Sequence, residues 1–107
     1  MRTVAIACQG GGSHTAFTGG ALQRLLVDAN HRIVALSGTS GGAVCALLAW
    51  YGLLTGGAAE AGRLLERFWA ATAATTLSGK AAKPAFLRRL FDAGREQAEA
   101  FLAGLPR

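Results

Sequence analysis

The stretch from Ile33 to Gly52 constrains this chain more than any other. Ile33–Leu36 is an apolar run of strand type, it meets Gly38-Thr39-Ser40-Gly41-Gly42, and an apolar run of helical type, Ala43–Tyr51, follows at once. A strand that turns into a helix through G-x-S-x-G is a nucleophile elbow. Such a turn strains the serine backbone and holds its hydroxyl out. Gly38 and Gly42 leave room where a Cβ would strike the neighbouring strand or helix, and Gly41 lies between Ser40 and Gly42 at the start of the turn into the helix. The helix after Ser40 directs the positive end of its dipole at the place where an oxyanion would form. Ser40 is therefore a candidate acyl-transfer nucleophile.

A second glycine cluster precedes it. Thr3–Cys8 reads as a buried strand, and Gln9-Gly10-Gly11-Gly12-Ser13-His14 follows as a glycine-rich turn. Phe17, Ala21, Leu22, Leu25 and Leu26 recur at helical spacing, which predicts a helix from about Ala16 to Asp28. Arg32–Ser37 is the second strand, and its lack of alternation predicts burial on both faces. A strand–helix–strand unit implies a parallel pair with a right-handed crossover. Both glycine loops then fall at the C-terminal ends of adjacent strands, where open α/β sheets bind ligands.

Successive unhindered N–H groups at a helix N-terminus cradle an anion. A nucleotide phosphate fits the sequence poorly. There is no Gly-Lys-Ser/Thr, Thr15 stands where a dinucleotide fingerprint needs glycine, and no acid follows the second strand. The oxyanion of an acyl-transfer intermediate fits better, with Gly10, Gly11 and Gly12 beside Ser40.

Beyond the elbow, its helix runs to about Leu54 and ends at Gly56-Gly57. A further helix is predicted over Ala58–Ala74, with Leu64, Leu65, Phe68 and Trp69 apolar. Thr75–Lys83 reads as a loop. A last helix runs from Pro84, a residue suited to a first helical turn, to Ala103. The order β-α-β-α-α-α predicts an α/β fold: at most one small domain over residues 1–107, the start of a parallel sheet with helices packed on both faces, in a truncated form. About half the residues are hydrophobic, enough for a core, but 107 residues are few for an α/β hydrolase.

The net charge is +5, and the densest basic stretch is Lys80, Lys83, Arg88, Arg89 and Arg95 with Asp92 against it. It reads as a solvated helix face, with attraction to anionic lipid headgroups as the functional alternative. No arginine-rich tail, zinc-knuckle spacing or aromatic–basic interleaving supports nucleic acid as a partner. Cys8 and Cys45 lie in apolar segments and read as buried reduced thiols, with no metal site and a cytoplasmic setting. No charge occurs from Ile33 to Ala59, but Ser37–Gly42 interrupts that run, so a membrane span is not expected. Nor is a secretory leader, since only a short apolar run follows Arg2.

Taken together, Gly10-Gly11-Gly12-Ser13-His14-Thr15, Phe17-Thr18-Gly19-Gly20-Ala21-Leu22 and Gly38-Thr39-Ser40-Gly41-Gly42-Ala43 resemble the N-terminal half of patatin-like phospholipases. That family has a G-G-G-x-R/K-G loop between strand and helix, then a G-x-S-x-G elbow. The likeness covers roughly residues 3 to 55. It departs in two places: His14 takes the Arg/Lys position and Thr15 the following glycine. The resemblance implies that Ser40 attacks a lipid ester, that Gly11 and Gly12 with Gly41 hold the oxyanion, and that no metal or organic cofactor is used. It also implies an aspartate base from a downstream D-G-G or D-G-A motif.

That aspartate has no convincing counterpart. Asp28 ends a predicted helix, and Asp92-Ala93-Gly94 lies inside another, among Arg88, Arg89, Arg95 and Glu96. No histidine follows Ser40, while His14 and His31 precede it. The chain is expected to be a part of a longer lipid acyl hydrolase, or a truncated non-catalytic remnant that binds lipid or a protein partner. An open sheet edge favours a partner chain or oligomer, and a membrane surface is a peripheral partner.

Overall fold

The computed structural model describes residues 2–74 and 84–106. The predicted loop at residues 75–83 lies outside them, as do Lys80 and Lys83 of the basic stretch. Strand β1 (Arg2–Cys8) pairs in parallel with β2 (His31–Gly38) across helix α1 (Ala16–Leu26). Helices α2 (Gly41–Thr55), α3 (Ala58–Ala74) and α4 (Pro84–Ala103) follow, so the order is β-α-β-α-α-α. The fold is α/β with flanking helices. A single 3-10 turn, Gly12–Thr15, leads into α1. Helix α1 stops at Leu26 rather than Asp28, and α2 starts at Gly41, directly after Ser40 as expected.

One expectation about the sheet is corrected. The register runs from Arg2 opposite His31 to Val4 opposite Ile33, then skips, so that Ala5 faces Ala35 and Cys8 faces Gly38. Val34 is the extra residue of a β-bulge. A bulge flips side-chain parity. Ile33 and Leu36 therefore both turn toward the core with Ile6, while Val34 and Ala35 are both exposed. The missing alternation in Arg32–Ser37 comes from this bulge, not from burial on two sides. Thr3, Ala5, Ala7, Arg32, Val34 and Ser37 leave the other face open.

The core lies between the inner face and the helices. Leu22 of α1, Cys45 and Ala49 of α2, Leu65 and Trp69 of α3, and Leu87 and Phe91 of α4 are among its buried members. Side chains the size of Leu65 or Phe91 contribute about 1.5–3 kcal/mol each when fully buried. Helix α1 packs most extensively on α4, and a side chain at Gly20 would fall on the backbone of Phe91.

Helix α2 packs the other way round from most helices. Its buried residues are small: Gly42, Cys45, Ala46, Ala49 and Gly52. Its large apolar residues face outward, with Leu47 60%, Trp50 54%, Tyr51 56% and Leu54 65% exposed. A shallow apolar cleft runs between this face and Val34–Ala35 of β2.

Candidate active site

The end of β2 and the start of α2 meet at Ser40, whose backbone has φ 54° and ψ −128°. It is the one non-glycine residue with positive φ among those described. For an L-residue this costs of order 1–3 kcal/mol and persists only where surrounding structure enforces it. The enforcing bonds are local. Thr39 N–H donates to the Cys8 carbonyl (3.2 Å), which ties the elbow to the end of β1. Gly42 N–H donates to Thr39 (2.9 Å), and Ala43 N–H to Ser40 (2.9 Å). The Ser40 side chain makes no capping bond to α2 and is exposed.

Two glycines of the elbow sit where nothing larger fits. A Cβ at Gly38 would stand 2.6 Å from the Ala43 nitrogen, and one at Gly42 2.6 Å from the Cys8 carbonyl carbon. Elbow and strand ends are packed backbone to backbone. Gly41 is the first residue of α2, so its N–H has no partner within the helix.

The glycine loop closes on the same point. A Cβ at Gly10 would lie 2.6 Å from the Thr39 carbonyl oxygen and 2.8 Å from the Ser40 Cβ, so Gly10 runs directly beside the elbow. Gly11 and Gly12 carry the chain onward, Gly12 with φ 58° in open space. The N–H groups of Gly10 and Gly11 make no backbone hydrogen bond among the described residues, whereas His14 N–H donates to Gly11 (3.1 Å). A cleft of about 320 Å³ lies against the loop, lined by Gly10, Gly11, Thr15, Phe17 and Leu90.

Of the candidate acids and bases, His14 lines the same cleft as Gly10 and Gly11, whereas the two aspartates lie elsewhere. Asp28 pairs with His31 at the start of β2, the opposite end of the strand from Ser40. The His31 hydrogen bond holds its carboxyl below the ordinary value. Asp92 pairs with Arg88 (2.9 Å) on α4, and Arg88 also reaches Glu66 (2.7 Å). The His14 ring stands edge-on to Phe86, centroids 5.6 Å apart. Cys8 and Cys45 are free and buried, and burial pushes the Cys45 thiol up to about 11. No cluster of three or more metal-ligating side chains exists among the described residues.

Sequence reasoning gave Thr15 no role beyond a departure from pattern. It is 2% exposed and packs between the two motifs, its Oγ1 standing 2.6 Å from where a Gly41 Cβ would be and 3.9 Å from a Gly11 Cβ. That hydroxyl has no hydrogen-bond partner. The signal was its position five residues after Gly10, which the helical approach folds back onto the elbow.

No described helix is long and apolar enough to cross a membrane. Searches of curated proteins and of solved structures return no match. The family model of patatin-like phospholipase matches residues 6–102, a span that takes in both glycine motifs, helices α1 to α3 and all but the last residue of α4, and the chain belongs to that family.

Proposed function

We propose that this chain is the nucleophile-bearing part of a lipid acyl hydrolase, with Ser40 as the nucleophile. Its family is one of phospholipases and related lipid acyl hydrolases. The observation that carries the reading is the strained backbone of Ser40, φ 54°, with Gly10 alongside it and free N–H groups on either side. Strain of this kind clusters at reactive groups.

In this reading the Ser40 oxygen attacks the ester carbonyl carbon. The carbonyl oxygen takes up the negative charge and is held by N–H groups of Gly11, Gly12 and Gly41. The ester C–O bond breaks, the alcohol leaves with the proton first taken from Ser40, and water then releases the acid from the acyl-enzyme. Gly38 and Gly42 keep the turn tight. The proton needs a base, and neither Asp28 nor Asp92 stands near Ser40. The base is proposed to be an aspartate supplied from outside the described residues. Loss of such a group costs orders of magnitude in rate.

A second reading has its own support. The outward face of α2 and the bare sheet face fit a module that binds a lipid surface or a partner chain without turning over substrate. A fluorophosphonate probe separates the two. Labelling that disappears in Ser40→Ala means an assembled, activated nucleophile. A folded chain that takes no label leaves the binding module as the function.

A further inference from the structure

A groove lies at the start of the two strands, opposite to Ser40. Both strands run from Arg2 and His31 toward Cys8 and Gly38, so about seven residues of strand, about 20 Å, separate the groove from the elbow. It has two adjoining parts. The first, the polar part at about 260 Å³, is lined by the charged groups Arg2, Arg24, Asp28, His31 and Glu99 and also by apolar side chains such as Leu102 and Leu105. The second, about 290 Å³, is apolar and is lined by Val4, Ile6, Leu25, Ile33, Phe101 and Leu102. Arg2, His31, Leu102 and Leu105 border both. Together the two parts reach the lower range of small-ligand sites, roughly 300–1,000 Å³.

The charges in the polar part are unevenly committed. Arg24 pairs with Glu99 and His31 with Asp28. Arg2 has no ion-pair partner among the described residues, and its side chain opens to solvent. Its backbone is fixed by the ladder and by the bond from its N–H to Asn30 (3.2 Å). The site thus offers one free cation beside a slot of half-buried aliphatic side chains, capped by Phe101 at 61% exposure. A guanidinium matches a carboxylate in shape and charge, and an alkyl chain is what the slot would desolvate.

We propose that this groove binds a single-chain carboxylate amphiphile of the fatty-acid type, its carboxylate on Arg2 and its chain between β1, β2 and the end of α4. Neither the groove nor its ligand depends on the role of Ser40.

The test is an amide NMR titration of the chain with sodium dodecanoate below its micelle concentration, with dodecanol and acetate as comparisons. Saturable shifts are expected at Leu25, His31, Ile33 and Leu102, with Gly10–Ser13 unmoved. Dodecanoate should bind at least fivefold more tightly than dodecanol, and acetate not measurably. Arg2→Gln should remove that advantage without changing dodecanol binding, and Phe101→Ser should weaken both long-chain ligands. Both side chains are exposed, so an unchanged spectrum of the free variants is expected. Non-saturable shifts, shifts centred on the glycine loop, or equal affinity for dodecanoate and dodecanol would overturn the proposal.

Discussion

A single methyl group distinguishes Gly42 of the elbow from Gly12 of the loop. At Gly42 a Cβ would meet the Cys8 carbonyl carbon at 2.6 Å and the Gln9 carbonyl oxygen at 2.8 Å, both backbone atoms that cannot swing aside. Gly42→Ala should therefore destabilise the fold by about 3 kcal/mol, at the upper end of overpacking costs. Gly12 has open space around it and pays only for its φ of 58°. Gly12→Ala should cost about 1–2 kcal/mol. Urea denaturation of the two variants side by side checks the order, and equal losses would mean the elbow can relax. Thr15 goes the other way. Its buried hydroxyl lacks a partner, so Thr15→Val removes an unmade hydrogen bond while keeping the shape. A gain of about 1 kcal/mol is expected, read as a rise in Tm of about 4–8 °C.

Among the elements, α3 and α4 were legible in the sequence because each has one apolar stripe and clear ends, and both are found over the residues expected, Ala58–Ala74 and Pro84–Ala103. The two glycine motifs were equally legible, since a strand, a glycine turn and a helix follow each other without a gap. Helix α2 was readable as a helix but not as a surface. It is apolar all round, so periodicity says nothing about which side is buried, and the choice is made by close approach: Gly42 against β1 and Gly52 against Ala61 admit only small residues. The bulge at Val34 was hidden for a related reason. Four apolar residues in a row look the same whether both faces are covered or parity is flipped. The outward stripe Leu47, Trp50, Tyr51 and Leu54 has a consequence that can be measured. It should make the chain self-associate or adsorb to lipid vesicles, with a blue shift of Trp50 fluorescence on contact. The double variant Leu47→Glu, Trp50→Glu should stay helical and sediment as a monomer. If the native chain is also monomeric at high concentration and ignores vesicles, this face has no partner of either kind.

For the molecule as a whole, stability should be bounded by pH at both ends, by carboxyls on the acid side and by the two buried thiols on the alkaline side. On the acid side Glu66 is lowered by hydrogen bonds from Arg88 and Gln23, and the second such group is Asp28. The hydrogen bond from His31, followed by the charges of His31 and Arg24, lowers its carboxyl from an ordinary value of 3.8. A lowered folded value means that the stabilising contribution is present above 3.8 and is lost as pH falls through the folded value. Asp28→Asn should flatten that part of the acid limb. On the alkaline side the controlling group is Cys45, fully buried beneath α2 and moved by that burial from 9.0 to about 11. Cys8, also buried, is shifted in the same direction. A raised folded value means that the folded chain holds the proton more tightly than the unfolded one. Stability is then constant below about 9 and declines as pH rises toward about 11. The thiolate would have to form inside the buried apolar core, where burial outweighs the help of the Trp69 indole N–H. Chemical denaturation repeated across this range should show the decline in the native chain. Cys45→Ala should be somewhat less stable at neutral pH, because of the small cavity it leaves, but should lose less of its stability between 9 and 11, the remaining decline belonging to Cys8. The same burial should keep Cys45 from reacting with iodoacetamide at pH 8 until the chain unfolds. Rapid alkylation of the folded chain would mean that α2 lifts from the core without global unfolding.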